Sequence, residues 1–416
     1  MLSRSIDRLS AAGRLAFVFL WLFICSFPVE KSIELPGLGN LSKVLGILAL
    51  GTGFLAVAID TRIRALTPAH GVLASFVLWS GISLRWSLDP DATALKAGTL
   101  LQLLLMAWLI WEFCAEERNV TQLMQAYVFG TLYASANTLL RYQVAQQTYY
   151  QRYAADGFDP NDFALTLALS IPMSYGLALR AKGRTAWIYW AQLGLVCVSV
   201  LLSASRTGFL ATCVAASIIP LTFAYTRRRQ KIAIVVVAVA AVLCLAAVVP
   251  ATSWNRLSTI GTEVQSGTLN NRGLIWSAGW QVLGEHWFAG VGSGAYPRSI
   301  EPVLGWPVHW LIVAHNTLLS ILAETGMIGF LLFLTFLSLL VRAVCRMQGV
   351  SRMVWTVTLL TWFVGVNTLT WEIRKPTWFL FALALTQARF ACHRTVARPR
   401  MRSVAAAAWT DLEARA

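Results

Sequence analysis

The stretch SASRTG, which contains Arg206, places one cation between two long apolar runs. Residues 185–205 and 207–225 carry no charged side chain, so the turn between them is very short. Arg206 falls in the first turn of the second run, where Ser203 or Ser205 can cap the helix. A helix N-terminus disfavours a cation by about 0.3–1 kcal/mol. Backbone N–H groups, a serine hydroxyl and a guanidinium can, however, bind an anion together, and we predict an anion site here.

Two further segments carry residues that suit the same chemistry. Arg272 follows Asn271, which can cap the helix that begins there, and so repeats the arrangement at Arg206. His315 opens a later apolar run beside Asn316, and a neutral imidazole with an ordinary pKa of about 6.5 is a suitable general base. Nine residues further, Glu324 lies roughly 13 Å deeper along a helix, where a carboxylate must face protein or a wet cavity.

Each of these residues also has a purely structural interpretation. Arginines near the ends of membrane spans often extend to the lipid headgroups. His315 can be an interfacial capping residue, and Glu324 can form a buried structural hydrogen bond. Asp89 and Asp91 resemble a metal-binding DxD pair, but in a short polar loop such a pair is more often a turn. HxxxH, HExxH and Walker motifs are absent from the sequence, which predicts neither a metal nor a cofactor.

The elements that must position these residues are membrane-spanning helices. Hydrophobic residues form 57 % of the chain and charged residues 13 %, with a mean hydropathy of +0.61; a soluble domain is about a quarter charged. Apolar runs of about 18 residues or more recur, each long enough to cross a bilayer. We predict one all-α integral membrane domain over 1–416, with twelve spans at about 14–28, 41–59, 71–88, 95–114, 122–140, 162–179, 185–204, 207–225, 232–251, 313–341, 353–371 and 376–392.

The basic residues predict the orientation of these spans. With the N-terminus in the cytoplasm, 22 of the 34 Lys and Arg residues and 7 of the 19 acids fall on the cytoplasmic side, so that side carries 22 − 7 = +15. The outer side carries 12 of each and no net charge. This distribution follows the positive-inside rule and predicts that both termini lie inside. It also accounts for the pI of 9.9 without nucleic-acid binding.

The longest predicted outer segment, 252–312, is the place where we expect chemistry. Within it, residues 270–288 place apolar side chains at helical spacing and predict an amphipathic helix against the membrane or the bundle. Residues 289–299 contain three glycines and a proline and predict a loop with little side-chain bulk. The tryptophans of this segment could stack on sugar rings, but they are also typical of an aromatic interfacial belt; they are Trp276, Trp280, Trp287, Trp306 and Trp310.

Taken together, the motifs resemble the O-antigen ligase and polymerase superfamily. The resemblance is carried by DPNDFALTLALSIP, SASRTGFLA, RGLIWSAGWQVLGEHWFAGVGSGAY and HNTLLSILAETGMIGFLLFL, in this order, over about residues 156–340. It implies a multispan glycosyltransferase of the bacterial inner membrane with a periplasmic active site. The expected donor is a glycan on undecaprenyl pyrophosphate, the expected acceptor is a sugar hydroxyl of lipid A–core, and the expected reaction is metal-independent and inverting.

The resemblance also implies roles for residues. Arg206 and Arg272 match the family's arginines and would hold the pyrophosphate leaving group, while His315 matches its histidine and would take or orient the acceptor proton. The supporting residues would be Ser203 and Ser205 at the turn, Asn316 beside the imidazole, Glu324 behind it, and Arg152, Arg256 and Arg298 as weaker phosphate contacts.

Three other functions fit parts of the pattern. An O-antigen polymerase uses the same donor with a lipid-linked glycan as acceptor. A protein O-oligosaccharyltransferase glycosylates Ser or Thr, although such relatives often have a larger soluble C-terminal part. A lipid-linked glycan transporter suits twelve spans, but transporters place their polar groups near the membrane midplane, whereas here the arginines gather on one face.

Overall fold

The computed structural model describes residues 9–61, 63–144, 152–259, 271–305 and 313–391, and within these ranges the chain is almost entirely helical. A two-residue antiparallel hairpin pairs Glu34–Leu35 with Gly39–Asn40. The helices are α1 (Ala11–Cys25), α2 (Leu41–Asp60), α3 (Pro68–Ile82), α4 (Pro90–Phe113), α5 (Glu117–Gln143), α6 (Pro160–Arg180), α7 (Thr185–Leu202), α8 (Arg206–Ala216), α9 (Ile218–Thr222), α10 (Arg228–Val248), α11 (Ala251–Ser258), α12 (Arg272–His286), α13 (Tyr296–Leu304), α14 (Thr317–Cys345), α15 (Gly349–Val366) and α16 (375–391).

Seven stretches of the described helices are long and apolar enough to cross a membrane: α2, α4, α6, α7, the stretch Arg206–Tyr225, α14 and α15. The apolar helix α1 is shorter. Large apolar side chains such as Phe54 and Leu55 on α2 and Val242 and Leu243 on α10 are exposed, as expected of surfaces that face lipid. The chain is therefore an all-α polytopic membrane protein. All twelve predicted spans overlap described helices, while their number as spans and their orientation stay predictions.

Helix α6 forms the centre of the bundle, because it is buried on nearly every side. It packs against α5, α7, α8 and α15. Its start is well defined: Pro160 occupies the first helical turn, and the Asp159 carboxylate accepts hydrogen bonds from the backbone N–H groups of Asn161 and Asp162 at 2.8 and 3.2 Å. This fixed N-terminus of α6 faces the turn between α7 and α8, to which Asn161 is hydrogen-bonded.

The segment 252–312 contains α11, α12 and α13 within its described part, so the predicted helix at 270–288 is present as α12. Its buried face is formed by Ile275, Ala278, Gly279 and Val282. A Cβ atom at position 279 would come within 2.5 Å of the Tyr296 hydroxyl, so this point of the packed face requires glycine. Trp280 and Trp287 are exposed, whereas Trp306 and Trp310 lie outside the described residues.

The glycine-rich loop 289–295 docks against a break in α14. At Gly326 the backbone of α14 leaves the helical region, with φ of 63°. The N–H groups of Val291 and Gly292 instead donate to the carbonyls of Ala323 and Glu324 at 3.0 and 2.9 Å. A Cβ atom on Gly290 would lie 2.4 Å from the carbonyl carbon of Glu324. The glycines therefore allow two backbones to touch, and Gly326 marks a break in α14.

Candidate functional site

The turn between α7 and α8 is built as the sequence indicated. Helix α7 ends at Leu202 with Ser203 as its C-cap, and α8 begins at Arg206 with Ser205 as its N-cap. The Ser205 hydroxyl oxygen accepts from the N–H of Gly208 at 3.1 Å. Between the serines, Ala204 has a left-handed backbone with φ of 48°, which reverses the chain in two residues. The half-buried Arg206 thus lies at an N-terminus where backbone N–H groups converge.

Two residues from the α5–α6 region hold this turn in place. The guanidinium of Arg152, which is 4 % exposed, donates from Nε to the Ser203 carbonyl at 2.7 Å and from Nη2 to Oδ1 of Asn161 at 2.9 Å. The same Oδ1 accepts from the Ser205 hydroxyl at 2.9 Å. Asn161 therefore ties Arg152 to the cap of α8. Arg152, predicted as a phosphate contact, is in this structure a clamp on the turn that carries Arg206.

Two further arginines join the same region from the segment after α10. Nε of Arg206 donates to the carbonyl of Arg256 in α11 at 3.2 Å, which brings α11 against the turn. Arg272 is the first residue of α12 and is half-buried. The residue before it, Asn271, is left-handed with φ of 64° and makes no side-chain capping bond, so the predicted cap is absent.

The electrostatics of these residues confirm that they lie close together. The pKa of Arg152 is lowered to about 10, mainly by burial and then by the positive charges of Arg256 and Arg206, while Asp159 opposes the shift. Burial also lowers the pKa of Arg272, with Arg206 adding to the effect and Asp159 opposing it. Four guanidinium groups thus lie close enough to influence one another, with Asp159 nearby. Such a group of like charges is electrostatically suited to a multiply charged anion.

His315 belongs to this arginine cluster. Its imidazole is half-buried, and burial together with the charge of Arg272 lowers its pKa to about 4, although Asp159 opposes the shift. The imidazole is therefore neutral at neutral pH. Asn316 caps α14 by accepting from the Leu319 N–H at 3.0 Å, and its side-chain amide donates to the carbonyl of Asn367 at 3.3 Å. Its visible role is to fix the start of α14, directly after His315.

Backbone strain is concentrated at this site. Of the four described non-glycine residues with positive φ, three are here: Ala204, Asn271 and His315, with φ of 48, 64 and 48°. Each lies one or two residues before the start of α8, α12 or α14. A left-handed conformation costs an L-residue about 1–2 kcal/mol, and such strain clusters at functional sites.

Two predicted residues lie outside the arginine cluster. Arg298 on α13 is exposed and pairs with Glu301 at 2.7 Å. Glu324 is buried in a separate group, where the Lys96 ammonium contacts Glu324 at 2.6 Å and Glu372 at 2.5 Å. Glu324 also accepts from the N–H of Gly294 at 2.7 Å. Its position indicates that it anchors the glycine-rich loop.

Sequence reasoning did not single out Asn161, Asp159, Lys96 or Glu372. The first two lie in the DPND motif, and their spacing after a predicted loop was a signal that could have identified the cap of α6. Lys96 and Glu372 are 276 residues apart in the chain, and only the packing of α4 beside the loop 367–374 brings them together.

The fold and this site define a helical membrane protein that gathers arginines and a neutral histidine at the ends of several of its helices. The model of a family described as O-antigen ligase matches residues 166–334, a segment that includes Arg206, Arg272 and His315. This match confirms, over that segment, the resemblance to the O-antigen ligase family. No curated protein matches the chain.

Proposed function

We propose that this protein is an O-antigen ligase. It would transfer a glycan from undecaprenyl pyrophosphate to a sugar hydroxyl of lipid A–core, at the periplasmic face of the bacterial inner membrane. The family match supports the ligase and polymerase class. The choice of donor, acceptor and membrane face rests on the motifs and on the distribution of charge.

The observation that carries the proposal is the cluster of four arginines beside His315, namely Arg152, Arg206, Arg256 and Arg272. In the transfer, the acceptor oxygen attacks the anomeric carbon while the bond from that carbon to the pyrophosphate oxygen breaks. The leaving group gains negative charge as this bond breaks. Arginines already in place at helix N-termini stabilise that charge more in the transition state than in the ground state.

His315 is the residue we assign to the acceptor proton. With a pKa of about 4, it is neutral and can accept a hydrogen bond from a hydroxyl, but it is a weak base. A pyrophosphate bound beside Arg272 would offset the charge that lowers this pKa. The imidazole would therefore become a stronger base when the donor is bound, so that proton transfer from the acceptor is coupled to donor binding.

Deletion of the gene in its host tests the assignment. Lipopolysaccharide would be separated on a gel beside the extracted undecaprenyl-linked glycans. A ligase predicts bare lipid A–core together with long glycans that accumulate on the carrier. Lipid A–core with a single repeat would identify a polymerase instead, and unchanged lipopolysaccharide would reject both.

Complementation of the deletion tests the residues. We expect Arg206→Ala, Arg272→Ala and His315→Ala to be inactive at normal protein levels. Arg298→Ala is the matched control, because this exposed arginine pairs with Glu301 and should leave transfer close to wild type. Equal activity of all four variants would reject the arrangement.

A metal dependence would also contradict the proposal. Because arginines are assigned the charge of the leaving group, transfer by the purified protein should persist in EDTA. A strict requirement for an added divalent cation would mean that the arginines do not suffice.

A further inference from the structure

A second basic site lies at the opposite end of the bundle from the arginine cluster. His315 precedes the start of α14, whereas Arg342 and Arg346 lie at its other end. The part of this helix beyond the break at Gly326 alone has 19 residues, 327–345, and a length of roughly 28 Å. The two sites are therefore separated by about the thickness of a membrane. On the predicted topology this second site faces the cytoplasm.

The site is a cavity of about 370 Å³ between the start of α3 and the ends of α4, α14 and α16. Its walls are mainly apolar and include Trp111, Leu339 and Leu385. The described residues that line it include three arginines and no acidic side chain. A volume of this size is within the range of pockets that bind small ligands.

The first two arginines lie four residues apart on α14. Arg342 and Arg346 are both exposed, and neither forms an ion pair within the described part of the chain. The C-terminus of a helix favours cations, but like charges at this spacing repel one another. An anion between the two guanidinium groups would remove this repulsion and bind to both of them.

The third arginine is held in a fixed position at the cavity wall. Arg389 of α16 lies over the Trp111 ring, 4.8 Å from its centroid, and donates to the carbonyl of Cys114 at 2.5 Å. These contacts order the guanidinium before any ligand binds, which lowers the entropic cost of binding. The Arg389 guanidinium and the apolar wall therefore lie next to each other in the same cavity.

We propose that this cavity binds an anionic phospholipid, with the phosphate on Arg342 and Arg346 and an acyl chain along Leu339 and Leu385. A basic pocket between helices at the cytoplasmic boundary has the chemistry that acidic headgroups require. The chain's own terminal segment, 392–416, is a poor alternative occupant, because it carries five arginines and two acids and would be repelled.

The test uses the full-length purified protein in nanodiscs that contain phosphatidylglycerol and phosphatidylcholine. Native mass spectrometry after gentle release reports which lipid stays bound. We expect the wild type to retain phosphatidylglycerol, and Arg342→Gln/Arg346→Gln to lose at least about tenfold in affinity, since the charge-assisted hydrogen bonds to the phosphate are lost. Arg342→Lys/Arg346→Lys should retain part of the binding, because the charges remain.

The matched control is Arg227→Gln/Arg228→Gln. It removes the same charge from exposed residues at the start of α10 that do not line the cavity, and we expect it to retain the lipid. A further variant, Ala343→Phe, narrows the cavity without a change of charge and should weaken lipid binding. Gel filtration establishes that each variant is folded.

Several outcomes would overturn the proposal. Equal retention of both lipids by the wild type would mean that no anionic site exists. An equal loss in the control variant would mean that only the general surface charge matters. Complete displacement of the lipid by millimolar inorganic phosphate would identify a site for the phosphate group alone, without a role for the acyl chain.

Discussion

Asn161 offers the sharpest test of how the arginine cluster is positioned. Its Oδ1 atom accepts one hydrogen bond from the Arg152 guanidinium and one from the Ser205 hydroxyl, both at 2.9 Å. A hydrogen bond to a charged group contributes about 1.5–3 kcal/mol and a neutral one about 0.5–1.5 kcal/mol. Asn161→Ala therefore removes about 2–4 kcal/mol of interactions that hold the turn carrying Arg206.

If this loss acts mainly on the transition state, kcat/KM falls by about 30-fold to 1,000-fold. The assay is transfer of a glycan from a purified polyprenyl-pyrophosphate donor to lipid A–core in detergent, with thermal unfolding measured in parallel. The variant Asn161→Asp separates the positioning of the turn from the charge of the site, because its carboxylate still accepts both hydrogen bonds but adds a negative charge. We expect this variant to fold normally but to show a raised KM for the donor, since it adds a negative charge beside the arginines.

The matched control is Asn367→Ala. The Asn367 side chain donates only to the carbonyl of Phe363 among the described contacts, outside the cluster, so transfer should stay within about threefold of wild type. The reasoning is refuted if Asn161→Ala is folded and also stays within threefold. It is equally refuted if Asn161→Asp binds the donor more tightly than the wild type does.

Three further predictions concern strain, protonation and loop docking. Ala204→Gly should leave the thermal midpoint unchanged or raised, because glycine removes about 1–2 kcal/mol of left-handed strain, whereas Ala204→Val should lower it. The pKa of His315, about 4, lies below the ordinary 6.5, so its imidazole stays neutral as the pH falls. Protonation of His315 should therefore cause no loss of kcat/KM between pH 8 and 5.5, and kcat/KM should decrease only towards pH 4. A decrease near pH 6.5 that disappears in His315→Gln would contradict this. Gly290→Ala should cost about 2 kcal/mol or more, because its Cβ would lie 2.4 Å from the Glu324 carbonyl carbon; normal expression and normal thermal stability would argue against the docking of this loop.

The parts of the structure that sequence predicted well depend on local pattern. The apolar runs coincide with helices, and Ser205 caps α8 beside Arg206, because both features are decided within a few residues. The association of Arg206, Arg272 and His315 was inferred from a family resemblance rather than from spacing.

The parts that sequence missed depend on contacts between distant segments. The buried face of α12 is set by the position of Tyr296, and the break in α14 is set by the loop that bonds to it. Neither partner is visible in the helical pattern of the segment concerned. The role of Arg152 as a clamp likewise follows from its contacts with Ser203 and Asn161, which no local motif encodes.

The central claim is that Arg206 and Arg272 hold a pyrophosphate leaving group. The most direct measurement is the single-turnover rate of glycan transfer by purified Arg206→Gln and Arg272→Gln, compared with Arg298→Gln as the control. Loss of one such electrostatic contact typically lowers a rate by about 10²–10³-fold. The account predicts a loss of this size in the first two variants, with thermal stability close to wild type, and a normal rate in the control. Rates within tenfold of wild type in both folded cluster variants would contradict it.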